Sequence, residues 1–255
     1  MNTHDQGRTL TIRPRWALYF FGGLEIILIV FSLIGQYLRL SPDSYSIHSV
    51  FQEKLIRDFT AEFNVNSEGN MATYYSVSMA IAASFLVFVI AYLKNAAKDR
   101  YRFYWTALAW FLLYISMDDA SVIHEKVSKY LKGWTVMGGW FEYKWVIAGI
   151  AVVGIFAISF FRFWLHLDNK YKILFLLSAA MFFGGAVGTE LIGGRWAYSF
   201  GSKNFTYVIL NTIEQGLQYA GLTFLIYSLL LYIKSYFPWF SVSTKELMDA
   251  QKSVK

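Results

Sequence analysis

The chain has 255 residues, of which 56% are apolar, 20% aromatic and only 16% charged, whereas soluble domains carry about a quarter charged residues. The absence of cysteine excludes a disulfide framework, a thiolate metal site and a thiol nucleophile. The net charge of +6 is spread along the chain without a basic stripe, so the composition favours the lipid bilayer as partner and not nucleic acid.

Six apolar segments are long enough to cross a bilayer, whose hydrocarbon core of about 30 Å needs roughly 20 residues of helix. The predicted spans are residues 16–38, 74–93, 103–123, 145–165, 171–192 and 206–233. Most of them lack the polar face that a helix of a soluble bundle shows. We therefore predict an all-α fold with one six-helix transmembrane domain over residues 16–234, flanked by cytoplasmic tails at residues 1–15 and 235–255.

The connection between the first two spans, residues 41–73, is the one long loop. At helical spacing it carries the apolar residues Phe51, Leu55, Phe59 and Phe63. Charged residues lie between them, which predicts an extramembrane amphipathic helix. Such a helix either caps the mouth of the bundle or senses the membrane surface. The NSEGN run at residues 66–70 predicts a turn.

The distribution of Lys and Arg predicts the orientation, because cytoplasmic loops are enriched in these residues. Most of them fall on the side that holds both chain ends, which predicts a multi-pass protein of the inner (plasma) membrane with both termini inside. Lys126, Lys129 and Lys132 fall on the other side and count against this orientation.

The third predicted span ends in ionisable residues, which cost a few kcal/mol each inside a bilayer and therefore need a role. At about 100° per residue, Asp118, Ser121 and Glu125 fall near one face of a continuous helix. Asp119 and His124 lie on the two flanks of that face. Glu142, at the start of the fourth span, belongs to the same side of the membrane.

Further polar residues lie in the fifth and sixth spans. The sixth span carries a stripe at spacing i, i+3, i+4, i+7, formed by Asn211, Glu214, Gln215 and Gln218. Counted at 1.5 Å per residue, Asp118, Glu190 and Glu214 reach the same outer half of the bilayer. We therefore expect these side chains to converge. Glu25 stands apart, near the middle of the first span.

The fifth span is rich in small residues around Glu190. Two sets, Gly184/Gly188 and Gly185/Thr189/Gly193, follow the small-xxx-small pattern of closely packed membrane helices. Both sets predict close helix packing. The aromatic residues from Trp140 to Trp145 are typical of an interfacial belt.

Carboxylates and one imidazole in a single cluster are donors that divalent Mg, Mn, Fe or Zn accept. One hypothesis is therefore a metal site acting on a lipid-soluble substrate, with four ligands: Asp118, His124, Glu190 and Glu214. Glu125 is then a further ligand or the general base. Around these ligands, or along a pathway, lie Asp119, Ser121, Asn211, Gln215, Gln218, Glu25 and Glu142.

Two alternatives stay open. Buried acids with amide partners also suit a small transporter that moves protons or a small cationic substrate by way of Asp118, Glu190 and Glu214. The same groups can form a structural hydrogen-bond network that fixes helix packing, as in an accessory membrane subunit.

Two stretches of the chain resemble a group of uncharacterised multi-pass bacterial membrane proteins, some of which are automatically labelled multidrug transporters. In that group one helix ends in Asp-Glu-x4-His-Glu, where this chain has Asp118-Asp119 followed by His124-Glu125. A later helix of the group carries Glu-Glu-x-x-Glu-x-x-Gly. Here that stretch begins at Glu214, and amides replace the other two acids, at Gln215 and Gln218. The resemblance implies a shared polar centre, in which the amides weaken a multi-carboxylate metal site.

Overall fold

The structure is a computed structural model that describes residues 9–10, 13–41, 49–131, 139–237 and 242–243. Most of the two predicted tails lies outside these residues. The described chain is mainly helical and confirms the all-α fold class. The helices are α1 (Arg15–Leu40), α2 (Val50–Phe63), α3 (Met71–Ala96), α4 (Arg102–Ser121), α5 (Ile123–Leu131), α6 (Trp145–His166), α7 (Asn169–Phe183), α8 (Glu190–Phe200) and α9 (Phe205–Tyr236).

Length and apolar composition qualify five described helices to cross a membrane. They are α1, α3, α6, α9 and the continuous unit of α7 and α8, which a π-helical segment (Gly184–Thr189) joins. The bent pair of α4 and α5 passes the same test, so the described helices provide up to six spans. This number agrees with the six predicted from apolar length.

The centre of the bundle is α9, against which α1, α3 and α7 pack. Two glycines allow α9 and the unit of α7 and α8 to approach each other closely. A Cβ added to Gly221 of α9 would fall 2.7 Å from the backbone nitrogen of Phe182 in α7. A Cβ on Gly185 would fall 2.8 Å from the carbonyl oxygen of Glu214. At Gly184 and Gly188, by contrast, an added Cβ would meet no described atom within 4 Å. Close packing is therefore confirmed for Gly185, and the prediction of close packing was wrong for Gly184 and Gly188.

The helix α6 lies at the edge of the bundle. Against the described part of the chain it buries only Val146 near its start and Phe163 near its end. The packing of α3 is different, since it lies along α4 and buries a row of small and apolar residues that includes Ala80, Ala83 and Val87. The core therefore lies among α3, α4 and α9, and α6 forms a loosely attached wall.

A sharp bend separates α4 from α5. Val122 adopts left-handed backbone angles (φ 59°, ψ 39°), and the two helix axes differ by 72°. A β-branched residue is strained in this conformation. The continuous helix over residues 103–123 that was predicted is therefore wrong at its end. Because of the bend, Asp118, Ser121 and Glu125 do not share the predicted helical face.

The loop between the first two spans contains the predicted amphipathic helix, α2. The hydroxyl of Ser49 caps its first turn by accepting the N–H of Gln52 at 3.2 Å. The rings of Phe59 and Phe63 pack against Phe31 of α1. The other apolar residues of α2, at Val50, Phe51 and Leu55, are exposed.

Two short segments near the chain ends pair with each other. Strand β1 (Thr9–Leu10) runs antiparallel to β2 (Val242–Ser243). The segments before α1 and after α9 therefore meet on one side of the bundle, as an even number of spans requires. Which face of a membrane this is stays a prediction.

Candidate functional site

A cavity of about 600 Å³ lies among α3, α4, α5, α6, the π-helical segment and α9. Its volume is in the range of small-molecule sites. Ten residues selected from the sequence line it: Asp118, Asp119, His124, Glu125, Glu142, Glu190, Asn211, Glu214, Gln215 and Gln218. The expected convergence on one cavity is therefore present, while the depth of these residues in the membrane and their chemical roles stay predictions.

On the cavity wall, the carboxyl groups of Glu190 and Glu214 lie within hydrogen-bonding reach of each other. Two carboxylates offer only acceptors, so a hydrogen bond between them requires a proton on one of the two groups. The indole N–H of Trp145 donates to Glu190, and the hydroxyl of Thr189 lies within hydrogen-bonding reach of Glu214. The pair is therefore a proton-sharing dyad surrounded by neutral hydrogen-bonding groups.

The local backbone explains how two helices bring these acids together. Glu190 follows the π-helical segment, and such segments are frequent at functional sites. Within it the Thr189 hydroxyl donates to the carbonyl oxygen of Gly185 at 2.5 Å. Since Gly185 has no side chain, this segment approaches the backbone of Glu214 closely. The glycine thus places one acid beside the other.

Amide side chains of α9 continue the polar surface of the cavity. The Gln218 amide nitrogen lies 3.4 Å from Glu214 Oε1. Asn211 is buried, with 3% of its surface exposed, and its Nδ2 has no hydrogen-bond partner among the described residues. A buried donor without a partner costs about 1–3 kcal/mol. An acceptor on a bound molecule would remove this cost.

A second acidic group lies where α4 bends into α5. The imidazole of His124 lies between two carboxylates, with Nδ1 3.1 Å from Asp118 Oδ2 and Nε2 3.2 Å from Glu68 Oε1. Asp118 Oδ1 also accepts the backbone N–H of His124 at 2.9 Å. Only the imidazolium form donates from both ring nitrogens, so this geometry favours a charged His124. Asp118 thereby caps α5 and supports the strained conformation of Val122.

The remaining polar residues of the cavity form separate contacts. Asp119 accepts a short hydrogen bond from the Ser76 hydroxyl of α3. Next to Glu142, the hydroxyls of Tyr143 and Tyr207 lie 2.5 Å apart. Tyr143 precedes α6, and burial, followed by the Tyr207 hydroxyl, raises its pKa well above the ordinary range. Tyr143 is therefore a neutral hydrogen-bonding group at this end of the cavity.

Three predicted residues lie away from the dyad. Glu125 is exposed at the rim of the cavity, where it pairs with Lys129 at 3.5 Å. Ser121 ends α4, and its carbonyl oxygen accepts Lys126 Nζ at 2.9 Å. Glu25 is buried in α1 and does not line the cavity.

The predicted four-ligand metal site is not formed. Among the described residues no group of three or more His, Asp or Glu is placed to hold a metal ion. Both ring nitrogens of His124 already face carboxylates, while Glu190 and Glu214 engage each other instead. The bend at Val122 explains the separation, because it carries His124 towards Glu68.

Sequence reasoning missed several residues of the cavity. Glu68 lies in the predicted turn, 56 positions before His124, and no spacing rule connects the two. Trp145, Tyr143 and Tyr207 have the composition of an interfacial belt, yet they hydrogen-bond within the cavity. For Tyr143 and Trp145, the available signal in the sequence was their position beside Glu142 and the start of α6.

Long apolar helices that surround a cavity with buried acids define a multi-pass integral membrane protein. Residues 23–232 match the model of a family described as a domain of unknown function, DUF8692, and the chain belongs to that family. The match spans every described helix that lines the cavity. No curated protein and no solved structure matches the chain.

Proposed function

We propose that this protein binds lipid-soluble organic cations inside the membrane and exchanges the proton of the Glu190–Glu214 dyad for the bound cation. The observation that carries the proposal is the proton-sharing carboxyl pair at the polar end of a cavity with an apolar other end. This deepens the sequence hypothesis of a cation site acting on a lipid-soluble substrate, without a metal ion.

The balance of charge along the cavity supports a cationic ligand. Seven acidic residues line it: Glu68, Asp118, Asp119, Glu125, Glu142, Glu190 and Glu214. The basic residues among its lining are His124 and Lys129, and both are paired with carboxylates. An excess of one sign of charge in a low-dielectric cleft concentrates ligands of the opposite sign.

The apolar end of the cavity supports a lipid-soluble ligand. Its walls include Phe111 and Ile115 of α4, Val152 and Val153 of α6, and Phe183 of α7. Binding sites of this volume are typically lined by apolar side chains with a few polar groups that fix orientation. An organic cation would place its charge at the dyad and its hydrocarbon part among these walls.

The dyad supports exchange with a proton rather than simple attraction. With one proton shared, the pair carries a single negative charge, which a cation can neutralise. A cation at contact distance also favours loss of the shared proton, because opposite charges interact strongly where water is excluded. Such coupling is what a small proton-coupled transporter needs, so transport is the second candidate, resting on this shared proton.

Binding of radiolabelled tetraphenylphosphonium to the purified protein in nonionic-lipid nanodiscs tests the proposal. The wild-type protein should retain the cation above the level of empty nanodiscs, and tetraphenylborate, an anion of similar shape, should not be retained. A pH dye in weakly buffered medium should report proton release on cation binding.

The matched variants are Glu190→Gln, Glu214→Gln and, as control, Glu53→Gln on the exposed part of α2. Either dyad variant should weaken cation binding about tenfold or more and abolish proton release, since about 1.4 kcal/mol of lost attraction suffices for tenfold. The control should behave as wild type. Equal retention of cation and anion, or full binding by both dyad variants, would overturn the proposal.

A further inference from the structure

We infer that the ligand enters the cavity sideways from the hydrocarbon core of the bilayer, through a window between α4 and α6 at Tyr114 and Val152. The inference rests on the proposed function for the nature of the ligand, and the window itself rests on geometry. It names the route by which a lipid-soluble molecule reaches a site that the rest of the bundle surrounds.

Two residues mark the window because each lines the cavity and is also strongly exposed, although both lie within membrane-spanning helices. Tyr114 of α4 is 51% exposed and Val152 of α6 is 44% exposed, and both belong to the cavity wall. A side chain that lines an internal space and is also exposed outside lies at an opening of that space. The opening therefore lies between α4 and α6.

The window lies at a depth where lipid chains, not water, surround the protein. Tyr114 precedes the end of α4 by seven residues, and Val152 follows the start of α6 by seven residues. At 1.5 Å per residue both lie about 10 Å from those helix ends. A span of about 30 Å crosses the hydrocarbon core, so both residues belong to its interior.

Aromatic contacts frame the window on both sides. Towards the far end of α4 and α6 the rings of Phe111 and Phe156 stack with centroids 4.5 Å apart. Near the polar end the ring of His124 lies 5.2 Å from that of Trp145. Between these two contacts, α6 buries only Val146, next to Trp145, against the described chain. The gap is thus bounded along its length and unfilled in the middle.

The cavity also has a polar mouth, which gives the rival route. Asn66, Glu125 and Lys129 line the cavity and are exposed. A ligand arriving from water would pass these residues and the ring of His124. A lipid-soluble cation is concentrated in the bilayer, so the apolar window offers it the shorter path to the dyad.

A reversible block distinguishes the two routes, because the chain contains no cysteine and a single introduced thiol is unique. Val152→Cys is modified with a benzyl methanethiosulfonate in nanodiscs, and the exchange rate of tetraphenylphosphonium is measured before and after. Modification should slow both association and dissociation by about fivefold or more, since a blocked route raises the barrier in both directions, whereas damage to the binding site would speed dissociation. Dithiothreitol should restore both rates.

The matched controls place the same thiol elsewhere. Ile158→Cys lies on α6 at a strongly exposed position outside the cavity lining, and its modification should change neither rate. Asn66→Cys, modified from water with a charged methanethiosulfonate, tests the polar mouth. Slower exchange at Asn66→Cys together with unchanged rates at Val152→Cys would overturn the sideways route.

A ligand-independent measurement separates failure of the window from failure of the proposed function. Val153→Cys lies on the cavity wall and is half-buried. A long-chain maleimide dissolved in the bilayer should label it, and adding Val152→Trp should slow the labelling at least about fivefold, while adding Ile158→Trp should not. Labelling that Val152→Trp leaves unchanged would refute the window. Blocked labelling in a protein that binds no cation would retain the window and refute the proposed function.

Discussion

Glu68 and His124 connect the turn before α3 to the start of α5, with 3.2 Å between Glu68 Oε1 and His124 Nε2. On its other side the same imidazole meets Asp118, so a single ring joins the loop after α2 to the bend after α4. These contacts hold the polar end of the cavity in place.

This connection predicts a measurable coupling energy. A double-mutant cycle with Glu68→Gln and His124→Gln should give about 1–2 kcal/mol, because a charge-assisted hydrogen bond between half-buried groups is lost. The pair Glu125 and Lys129, exposed and four residues apart, is the matched control and should give about 0.5 kcal/mol or less. Unfolding in mixed detergent measures both cycles, and equal coupling in the two would contradict the prediction.

The bend at Val122 predicts an unusual gain from glycine. Val122→Gly should raise the free energy of unfolding by about 1 kcal/mol, because glycine adopts φ 59° without the steric cost that valine carries. Val127→Gly, in the regular part of α5, should lower it by about 1 kcal/mol. Thermal unfolding followed by circular dichroism checks the pair. A loss of stability in Val122→Gly would show that packing of the valine side chain stabilises the protein by more than its left-handed backbone conformation costs.

Close approach at Gly221 predicts a penalty for one added methyl group. Gly221→Ala should destabilise the protein by about 1–3 kcal/mol, because the new Cβ would lie 2.7 Å from backbone atoms that cannot move aside easily. At Gly23 of α1 an added Cβ would meet no described atom within 4 Å, so Gly23→Ala should be neutral or stabilising. Similar effects of the two substitutions on the unfolding midpoint would argue against the close packing of α7 on α9.

The unpaired amide of Asn211 predicts a conflict between stability and binding. Asn211→Leu should stabilise the ligand-free protein by about 1–3 kcal/mol, since a buried donor without a partner is replaced by an apolar group of similar size. The same variant should lose affinity for ligands that carry a hydrogen-bond acceptor. Unfolding with and without ligand measures both effects, and a destabilised ligand-free variant would mean that the amide is already satisfied.

Asp99, in the loop between α3 and α4, predicts a pH dependence outside the membrane spans. Burial opposes its ionisation, but the Tyr101 N–H at 2.7 Å and Lys94 Nζ at 3.0 Å outweigh it and hold the pKa of Asp99 below its ordinary value of 3.8. A lowered folded-state pKa stabilises the protein fully above the ordinary value, and this stabilisation is lost as the pH falls through the folded-state pKa. The stability difference between wild type and Asp99→Asn should therefore be constant at neutral pH and shrink in acid.

Lys94→Met provides the control for that pH series. Lys94→Met removes one of the two groups that donate to Asp99. When Asp99→Asn is introduced into the Lys94→Met protein, the acid-dependent part of the stability difference should therefore become smaller without disappearing. If Lys94→Met leaves the acid-dependent part of this stability difference unchanged, the lowered pKa of Asp99 is due to the Tyr101 N–H alone.

The number of spans and the polar stripe of α9 could be predicted because both depend on local composition and helical period. The bend could not, since neither glycine nor proline lies near Val122, and a valine disfavours the left-handed conformation. It depends on the Asp118 carboxylate, which bonds the backbone and ring of a residue six positions later. For the same reason the four proposed metal ligands do not form one group: the bend turns His124 towards Glu68 and away from Glu190 and Glu214.

The attachment of α6 has a consequence for selectivity. Because α6 buries only Val146 and Phe163 against the described chain, it can move outward as a rigid helix while α3, α4 and α9 keep their packing. Ligands of different width would then enter at a similar cost in free energy, so ligand shape would contribute little to selectivity. Discrimination would fall to the acids at the far end, which distinguish ligands by charge. Such a protein would bind chemically diverse ligands, provided that each is lipophilic and positively charged.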